Sequence, residues 1–433
     1  MKSVCGRHDV SIYGVSSIIC DLALLGDDGT ALEDTLTRCA GDPVTGLRPE
    51  LRIEHDRTLP FRVGDVVAFR LLEPGPFATM ETVWGARVPL HAGRVYLGVL
   101  GETCSLEHFT SKLEPEAVLR EPCLMHLAGD PGIIAHVTSC SPRLRQSAGN
   151  GTAAQVEVLG RVRDLRQDRA LNTLDSAAGR MPQPPECRPA ARVVLVGTGP
   201  NVGKTAATCV LLSAFSRTHS CAAVKVSGTG GFEDSVRHLE AGADLALTFI
   251  MLGLPSTYGM ARDLFQSTSR RLLGLAENPA GLPRWCVAPA RRDRPRARPD
   301  LTLVELGGDL IEAGGPDFLS DPQCMESAAA IVICSESVVG AIGALEIVRN
   351  CLPSGLSPAI YLSLWACTPQ AFYARSMPLL ARRAIEGVLD VNKPAGDLSL
   401  PVRYAEAAQD ILSADACAKR ILRAVSDRAR PRT

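Results

Sequence analysis

Residues 193–205 read VVLVGTGPNVGKT, and this stretch decides the fold. Four apolar residues, typical of a buried strand, lead into a glycine-rich turn that ends in Gly203-Lys204-Thr205, and a helix-like segment follows from Ala206 to Phe215. This order predicts a phosphate-binding loop, because backbone N–H groups ahead of a helix form a cradle for phosphate oxygens. Lys204 would place a positive charge against the β- and γ-phosphates, and Thr205 would offer a hydroxyl to Mg²⁺.

The predicted loop is one residue longer than the common form G-x-x-x-x-G-K-[ST], because Thr198 stands where the first glycine would be. A chance Gly-Lys-Thr turn is the alternative, but the flanking strand and helix are what the binding mechanism requires. The loop residues expected to contact a nucleotide are Gly197, Thr198, Asn201, Val202, Gly203, Lys204, Thr205 and Ala206.

Composition limits the class of protein. At 433 residues the chain is long for one core, so two domains are expected. A formal net charge of −1 predicts neither a nucleic-acid nor a membrane partner. The 15 scattered cysteines include no C-x-x-C pair and indicate reduced thiols. Neither a leader pattern nor an apolar run of membrane-spanning length occurs, so a cytoplasmic location is expected.

Residues 1–180 predict a β-rich domain whose role the sequence leaves open. As far as about residue 140, short runs of strand-forming residues alternate with Gly, Pro and Asp, which favours a barrel or a sandwich. The segment Ala154–Leu165 fits a strand or an amphipathic helix equally well. The proline-rich stretch 181–189 is typical of a linker to a second domain at 190–430.

The second domain shows apolar strands alternating with helical segments. This pattern predicts an α/β fold of the P-loop NTPase-like kind, with a mostly parallel sheet, helices on both faces and ligands at the carboxyl ends of the strands. The predicted strands are Arg192–Val196, Cys221–Val226, Leu301–Glu305, Ala330–Cys334, Ala359–Leu364 and Gly387–Val391. The predicted helices are Ala206–Phe215, Ser235–Ile250, Val339–Leu352, Pro369–Ala384 and Ala405–Val425.

Three charged residues stand at places where such a sheet binds its ligand. Lys225 ends the second strand and would point its ammonium group into the phosphate site, although a solvated strand-end lysine is the alternative. Glu305 ends an apolar strand, a position at which an acidic side chain commonly binds Mg²⁺. Asp244 precedes an apolar helical stretch, where a metal ligand and a helix N-cap are equally compatible with the spacing. The acids that follow Glu305 could replace it; they are Asp309, Glu312, Asp317 and Asp321.

Four segments together resemble dethiobiotin synthetase and its relatives, in that family's order and with roughly its spacing. They are Val196–Thr205, Lys225–Gly230, Ala243–Leu247 and Leu303–Glu305. The later segments Ile331–Cys334 and Val339–Leu345 are similar to the strand and helix at that family's dimer contact. The resemblance covers about residues 190–425 and leaves out the N-terminal domain.

The resemblance implies a Mg-ATP-dependent ligase or carboxylase that phosphorylates a carbamate or carboxylate of a small amine or acid. By motif, Lys204 would bind phosphates, and Thr205, Asp244 and Glu305 would hold Mg²⁺. Lys225 and Thr229 would bind the oxyanion and stabilise the transferred phosphoryl group. The resemblance also implies a homodimer and a small-molecule substrate.

Several positions depart from that family. Its loop carries an acidic residue, a Thr and a Glu where this chain has Gly199, Pro200 and Asn201, and Pro200 has no N–H to donate. Trp365 stands where the family reads adenine with an Asn, and Asn392 could supply a base contact instead. The choice between ATP and another nucleotide therefore stays open.

Two other functions fit the same motifs. A nucleotide-driven switch or maturation factor would use hydrolysis to move the N-terminal domain, and the unassigned β-rich domain and the altered loop favour it. A small-molecule kinase is the third possibility. The segment Lys225–Gly230 favours the ligase, because a pure switch needs no second lysine with an oxyanion pocket.

Overall fold

The structure is a computed structural model of the whole chain. It describes 51–56, 58–75, 78–82, 85–105, 108–114, 118–119, 122–142, 153–165, 168–181, 183–184, 189–280, 297–364, 385–391 and 411–429, with isolated positions at 16, 18, 144, 282, 286, 287, 380 and 383. Among these residues, no helix is both long and apolar enough to cross a membrane.

The chain forms two compact units. The first, here called the β-rich unit, consists of Met1–Met181 together with two later segments, Thr229–Glu233 and Phe249–Gly259. The second, here called the α/β unit, consists of Pro182–Gly228, Asp234–Thr248 and Met260–Thr433. Two short connections that the sequence pattern assigns to the second domain therefore belong to the first unit.

The β-rich unit contains eleven described strands and one helix. The strands are β1 (Leu51–Glu54), β2 (Val66–Glu73), β3 (Thr79–Glu81), β4 (Arg87–Pro89), β5 (Val95–Leu100), β6 (Thr103–Cys104), β7 (Phe109–Lys112), β8 (Leu124–Gly129), β9 (Ile133–Cys140), β10 (Ala154–Asp164) and β11 (Arg169–Ala170). Helix α1 spans Thr173–Arg180, and a 3-10 turn at Phe249–Leu252 lies in the same unit.

Five of these strands pair in a closed circuit, β10-β2-β5-β9-β8 and back to β10. Only the β5–β9 pair is parallel within this circuit. The inward side chains, among them Phe69, Tyr96 and Ile134, form one hydrophobic cluster. The segment Ala154–Leu165, open between strand and helix in sequence, forms β10, because its buried positions recur mostly at every second residue.

The α/β unit begins with β12 and ends with a long helix. Its strands are β12 (Ala191–Gly197), β13 (Cys221–Ser227), β14 (Leu245–Thr248), β15 (Leu301–Leu306), β16 (Ala328–Ser335), β17 (Ala359–Leu364), β18 (Gly387–Leu389) and β19 (Ile411–Leu412). Its helices are α2 (Lys204–Phe215), α3 (Glu233–Glu240), α4 (Arg262–Glu277), α5 (Gly315–Leu319), α6 (Pro322–Met325), α7 (Val338–Cys351) and α8 (Ala414–Ala429).

The eight strands form one sheet in the order β14-β13-β15-β12-β16-β17-β18-β19. Every pair in it is parallel, where the pattern predicts a mostly parallel sheet. On one face, Val193 and Leu195 of β12 pack in a cluster with Phe215 of α2 and Ile421 of α8. The alternate residue Val194 is equally buried; α4 contacts β13 and β14, α7 contacts β16 and β17, and α5 contacts both of these helices. Helices therefore cover both faces.

The predicted helix Ser235–Ile250 is wrong. Helix α3 ends at Glu240, because Gly242 adopts a left-handed conformation with φ 106°. A Cβ at Gly242 would lie 2.4 Å from Ser216 Oγ, so glycine is required there. The apolar run that follows is strand β14, fully buried in the sheet.

Other segments show where the sequence pattern fell short. Helix α4 and strand β19 were not predicted, and the predicted helix Ala405–Val425 is replaced in part by β19 and begins only at Ala414. The predicted helix Pro369–Ala384 lies outside the described residues apart from two isolated positions.

Candidate functional site

The phosphate loop joins β12 to α2 at the carboxyl edge of the sheet. Asn201 (φ 58°) and Gly203 (φ 88°) both take the left-handed conformation, which turns the chain sharply before the helix begins at Lys204. No side chain of the described residues caps the helix, and its first turn contains no acidic residue. The first N–H groups of α2 are therefore left for an anion, as a phosphate-binding loop requires.

Lys204 is held beneath the loop by two carbonyl groups. Its side chain is 6% exposed, and its Nζ donates to the carbonyl oxygens of Gly199 and Gly308, both at 2.6 Å. Burial lowers the pKa of Lys204, because the ammonium group loses water, and the Glu305 carboxylate opposes that shift. An anion near this lysine would supply the counter-charge that the carbonyls do not.

The Thr205 hydroxyl lies between two carboxylates. Its Oγ1 is 3.0 Å from Asp234 Oδ1 and 2.9 Å from Glu305 Oε1. A hydroxyl has one proton and can donate to only one of these acceptors at a time. A hydroxyl with two convergent carboxylates is a set of hard oxygen ligands, and the residues therefore fit Mg²⁺ completed by phosphate and water oxygens.

Glu305 is placed by its strand and by two further donors. Strand β15 lies next to β12, with Glu305 opposite Leu195. The Glu305 side chain is 2% exposed, and its Oε2 lies 3.1 Å from Thr208 Oγ1 and 3.0 Å from His238 Nε2. One carboxylate oxygen is thus held by these groups, and the other is directed to Thr205.

Lys225 forms an ion pair with Asp234. Lys225 lies opposite Glu305 in the register of β13 and β15, and its Nζ donates a hydrogen bond to Asp234 Oδ2. Burial alone would raise the pKa of Asp234, but the Lys225 charge and hydrogen bond, with a smaller contribution from the Thr205 hydrogen bond, outweigh it and hold the pKa below its ordinary value. Asp234 therefore joins Lys225 to the Thr205 hydroxyl.

Glycines let the strand ends β13 and β15 approach each other. The N–H of Gly307 donates to the carbonyl of Ser227 at 3.1 Å, and a Cβ at Gly307 would lie 2.2 Å from that carbonyl oxygen. Gly228 (φ 120°) faces Gly307 from the other strand. This close backbone contact positions Gly308, which binds Lys204.

The structure does not bring Asp244 to this site, and the metal-ligand prediction for Asp244 is corrected. Its Oδ2 accepts hydrogen bonds from Ser220 Oγ at 2.7 Å and from the N–H of Cys221 at 3.3 Å. Cys221 begins β13 and Asp244 directly precedes β14, so the carboxylate lies at the amino edge of a parallel sheet, opposite the phosphate loop. It does not cap a helix either, because β14 follows it.

Three more predicted site residues stay untested. Thr229 belongs to the β-rich unit, where it forms a bridge with Ser256, and its role as an oxyanion ligand stays a prediction. Trp365 and Asn392 fall outside the described residues.

Within the β-rich unit, Glu81 binds the segment that leads into α3. The Glu81 side chain is 3% exposed, and its Oε1 accepts the N–H groups of Phe232 at 3.0 Å and Glu233 at 2.7 Å. A Cβ at Gly231 would lie 2.8 Å from Glu81 Oε2, so that residue must be small. Because α3 begins at Glu233, the carboxylate stabilises the amino end of this helix.

Sequence reasoning missed Asp234, Thr208 and His238. Spacing held a signal for each of them once Thr205 was placed. Thr208 follows Thr205 by three residues on α2, and His238 follows Asp234 by four on α3, so each pair lies on one helical face. Asp234 itself was hidden because the pattern offered Asp244 for the same role.

No protein-family model and no curated protein matches this chain. Solved structures with a similar course of the chain include a plasmid partition protein from Borrelia burgdorferi bound to AMPPNP, with 10% identity, 56% of this chain and 100% of that chain covered, and a TM-score of 0.32. A signal recognition particle receptor, FtsY, from Elizabethkingia anophelis has 11% identity, with 55% and 74% covered and a TM-score of 0.30. The signal recognition particle 54 kDa protein from Aeropyrum pernix in complex with GDP has 16% identity, with 59% and 53% covered and a TM-score of 0.30.

Proposed function

We propose that this protein binds a magnesium nucleoside triphosphate, with ATP as the first candidate, and uses its hydrolysis to switch the state of the β-rich unit. The observation that carries the proposal is the contact of Glu81 with the N–H groups of Phe232 and Glu233. The next residue along the chain is Asp234, which binds both Thr205 and Lys225. A change at the phosphate loop thus has a short covalent route to a carboxylate of the β-rich unit.

The roles of the residues follow from their chemistry. Lys204 and the N–H groups at the start of α2 would bind phosphate oxygens, and Thr205, Asp234 and Glu305 would hold Mg²⁺. The bound ion would neutralise charge on the phosphates and bring them into line for attack. Positioning and neutralising charge supply most of the rate in phosphoryl transfer, so this set of residues suffices without a covalent nucleophile.

Asp234 is the residue through which the nucleotide would act on the rest of the protein. Its carboxylate accepts hydrogen bonds from two groups, the hydroxyl of Thr205 and the ammonium of Lys225. A bound triphosphate would offer Lys225 a second anionic partner. The Mg²⁺ that accompanies it would attract the Asp234 carboxylate. Either change would displace the first turn of α3. Glu81 binds the N–H of Glu233 in that turn and the N–H of Phe232 just before it.

The second candidate function is the ATP-dependent ligase or carboxylase implied by the resemblance to dethiobiotin synthetase. Lys225 supports it, because the side chain is 13% exposed and stands at the carboxyl end of the strand beside Glu305. A lysine in that place could bind a carbamate or acyl oxyanion. The homodimer, the small-molecule substrate and the cytoplasmic location stay predictions.

One experiment separates the two functions. Phosphate release from Mg-ATP is measured with and without a panel of amines plus bicarbonate, and hydrogen exchange of residues 51–142 is recorded with ADP and with a non-hydrolysable ATP analogue. The switch predicts metabolite-independent release and a nucleotide-dependent change in exchange. Release that depends strictly on an amine, with exchange unchanged, would instead establish the ligase.

The variant Lys204→Ala should abolish nucleotide binding in either case, since Lys204 is the lysine on the loop. The matched control is Lys419→Ala, which removes an exposed lysine from α8 and should change nothing. If Lys204→Ala remained folded and bound ATP with unchanged affinity, the proposed site would be wrong.

A further inference from the structure

His238 is a buried polar residue that neither the sequence motifs nor the proposed chemistry uses. Its side chain is 0% exposed, and its Nε2 lies 3.0 Å from Glu305 Oε2. Its Nδ1 is also buried and has no hydrogen-bond partner within the part of the chain that the structure describes. A buried imidazole with one ring nitrogen on a carboxylate and the other unpaired needs a reason to be there.

The unpaired nitrogen indicates which tautomer is present. A neutral imidazole carries one N–H, and Glu305 accepts it when that proton is on Nε2. Nδ1 is then an acceptor without a hydrogen bond. Burying an unpaired acceptor costs less free energy than burying an unpaired N–H donor. His238 therefore serves Glu305 as a hydrogen-bond donor.

This donor fixes the orientation of the Glu305 carboxylate, with Thr208 as a second contact whose one hydroxyl proton is shared with the carbonyl oxygen of Lys204 at 2.9 Å. Both reach Oε2, at 3.0 Å and 3.1 Å, and Oε1 is left on the Thr205 hydroxyl at 2.9 Å. Without the donors on Oε2 the carboxylate could rotate about its last torsion, which is broad for glutamate. The oxygen that the cation needs would then spend less time in place.

We propose that His238 is a positioning residue for the divalent cation: it holds Glu305 so that Oε1 faces Thr205, and it contacts neither nucleotide nor metal. The inference rests on the proposed magnesium–nucleotide site. It predicts an effect on metal affinity that is separate from nucleotide affinity, because His238 touches no loop residue that binds phosphate. Outer-shell partners of metal ligands typically change metal affinity by about 10- to 100-fold.

The test compares three substitutions that differ in whether they can donate at the position of Nε2. His238→Met fills the space without a donor, His238→Gln places an amide N–H near that position, and His238→Asn is equally polar but too short. The probe is Mn²⁺, titrated into the full chain with ADP and followed by electron paramagnetic resonance. Metal-free ADP binding is measured in EDTA, and His91→Met, at an exposed position of the β-rich unit, is the control.

The Met and Asn variants should weaken Mn²⁺ binding by about 10-fold or more, and the Gln variant by less than about 3-fold, with metal-free ADP affinity unchanged throughout. Equal Mn²⁺ affinity in the wild type and in a folded His238→Asn variant would overturn the inference. If His238→Met fails to fold, the Gln and Asn pair still decides, since both are polar and differ only in reach.

Failure of the proposed function gives a different result. If the wild-type protein binds no ADP in EDTA or in Mn²⁺, the nucleotide site itself is wrong. If it binds ADP but shows no bound Mn²⁺, the cation site and the role of His238 are wrong while nucleotide binding stands.

Discussion

Substitution of Glu81 by alanine should loosen the start of α3 measurably. The buried carboxylate accepts hydrogen bonds from two backbone N–H groups, those of Phe232 and Glu233. Hydrogen bonds to a charged group contribute roughly 1.5–3 kcal/mol, and loss of a helix cap costs about 1 kcal/mol. Because the two bonds share one carboxylate, we expect a local loss of about 2–3 kcal/mol, not the sum of the separate values.

The assay is hydrogen exchange of the peptide that contains residues 229–240. A loss of about 2–3 kcal/mol in local opening free energy corresponds to roughly 30- to 150-fold faster exchange of the two amides. Glu81→Gln keeps an acceptor oxygen without the charge and should give a smaller increase. The control is Glu157→Ala, which removes a partly exposed ion pair with Arg70 in the same unit and should leave these amides unchanged.

The same variant tests whether Glu81 couples the nucleotide to the β-rich unit. In Glu81→Ala, ATP should still bind, but the nucleotide-dependent change in exchange of residues 51–142 should disappear. Unchanged exchange of Phe232 and Glu233 in a folded Glu81→Ala protein would refute the reasoning from the hydrogen bonds. A full nucleotide response in that variant would refute the coupling and leave the hydrogen bonds intact.

Four further outcomes are expected. Lys225→Ala should leave ATP affinity within a few-fold but slow turnover, measured by phosphate release, because the proposed role of the lysine is to stabilise the transferred group and not to bind the phosphates at the loop. Since the pKa of Asp234 is lowered in the folded state, its carboxylate stabilises the protein above the unfolded pKa of about 3.9. The thermal stability gap between wild type and Asp234→Asn should therefore shrink as pH falls below that value. Burial, and then Glu305, raise the pKa of Cys209 to about 11, so its native alkylation rate at pH 8 should be about 100-fold below that of the unfolded chain, measured by iodoacetamide labelling. Gly307→Ala should destabilise the protein by several kcal/mol in urea unfolding, because its Cβ would lie 2.2 Å from the Ser227 carbonyl oxygen.

The elements that sequence reasoning placed correctly are those with a strong local signal. The phosphate loop, β13 and β15 each combine a run of apolar residues with a polar or glycine-rich end, and a parallel sheet buries such runs on both faces. Lys204, Thr205, Lys225 and Glu305 lie together at one edge of the sheet, because the carboxyl ends of parallel strands meet there, and their roles stay predictions.

The errors arose where a short apolar run fits two structures. Residues 245–248 continue the hydrophobic pattern of α3, and only the left-handed Gly242 separates the helix from strand β14. The sequence pattern predicts a helix at this strand and therefore places Asp244 at the phosphate loop. An acid that precedes a parallel strand lies at the amino edge of the sheet, whereas an acid that follows a strand lies at the carboxyl edge. Local periodicity does not contain this information, since it depends on which strands pair.

The assignment of residues 229–233 to the β-rich unit was likewise beyond local signals. Their contacts include Glu81, which is about 150 positions away in sequence, and no composition change marks them. The segment Lys225–Gly230 indicates an oxyanion pocket by its sequence, whereas a Cβ at the next residue, Gly231, would meet the Glu81 carboxylate. A glycine-rich segment indicates close approach but does not say to what.

Helix α3 gives the proposed switch its mechanical basis. In eight residues it carries the amide group of Glu233 that Glu81 binds, the Asp234 carboxylate on Thr205, and the His238 imidazole on Glu305. Backbone hydrogen bonds join successive turns of the helix, so under the proposed function a shift at one residue is passed to residues one turn away. Under the proposed function, a displacement of Asp234 by a cation or by release of Lys225 would reach the neighbouring Glu233 and, through His238, the Glu305 carboxylate. A variant that uncouples one of these contacts should alter the response at the others, and double-mutant cycles between Glu81 and His238 should give a non-zero interaction energy although neither side chain contacts the other.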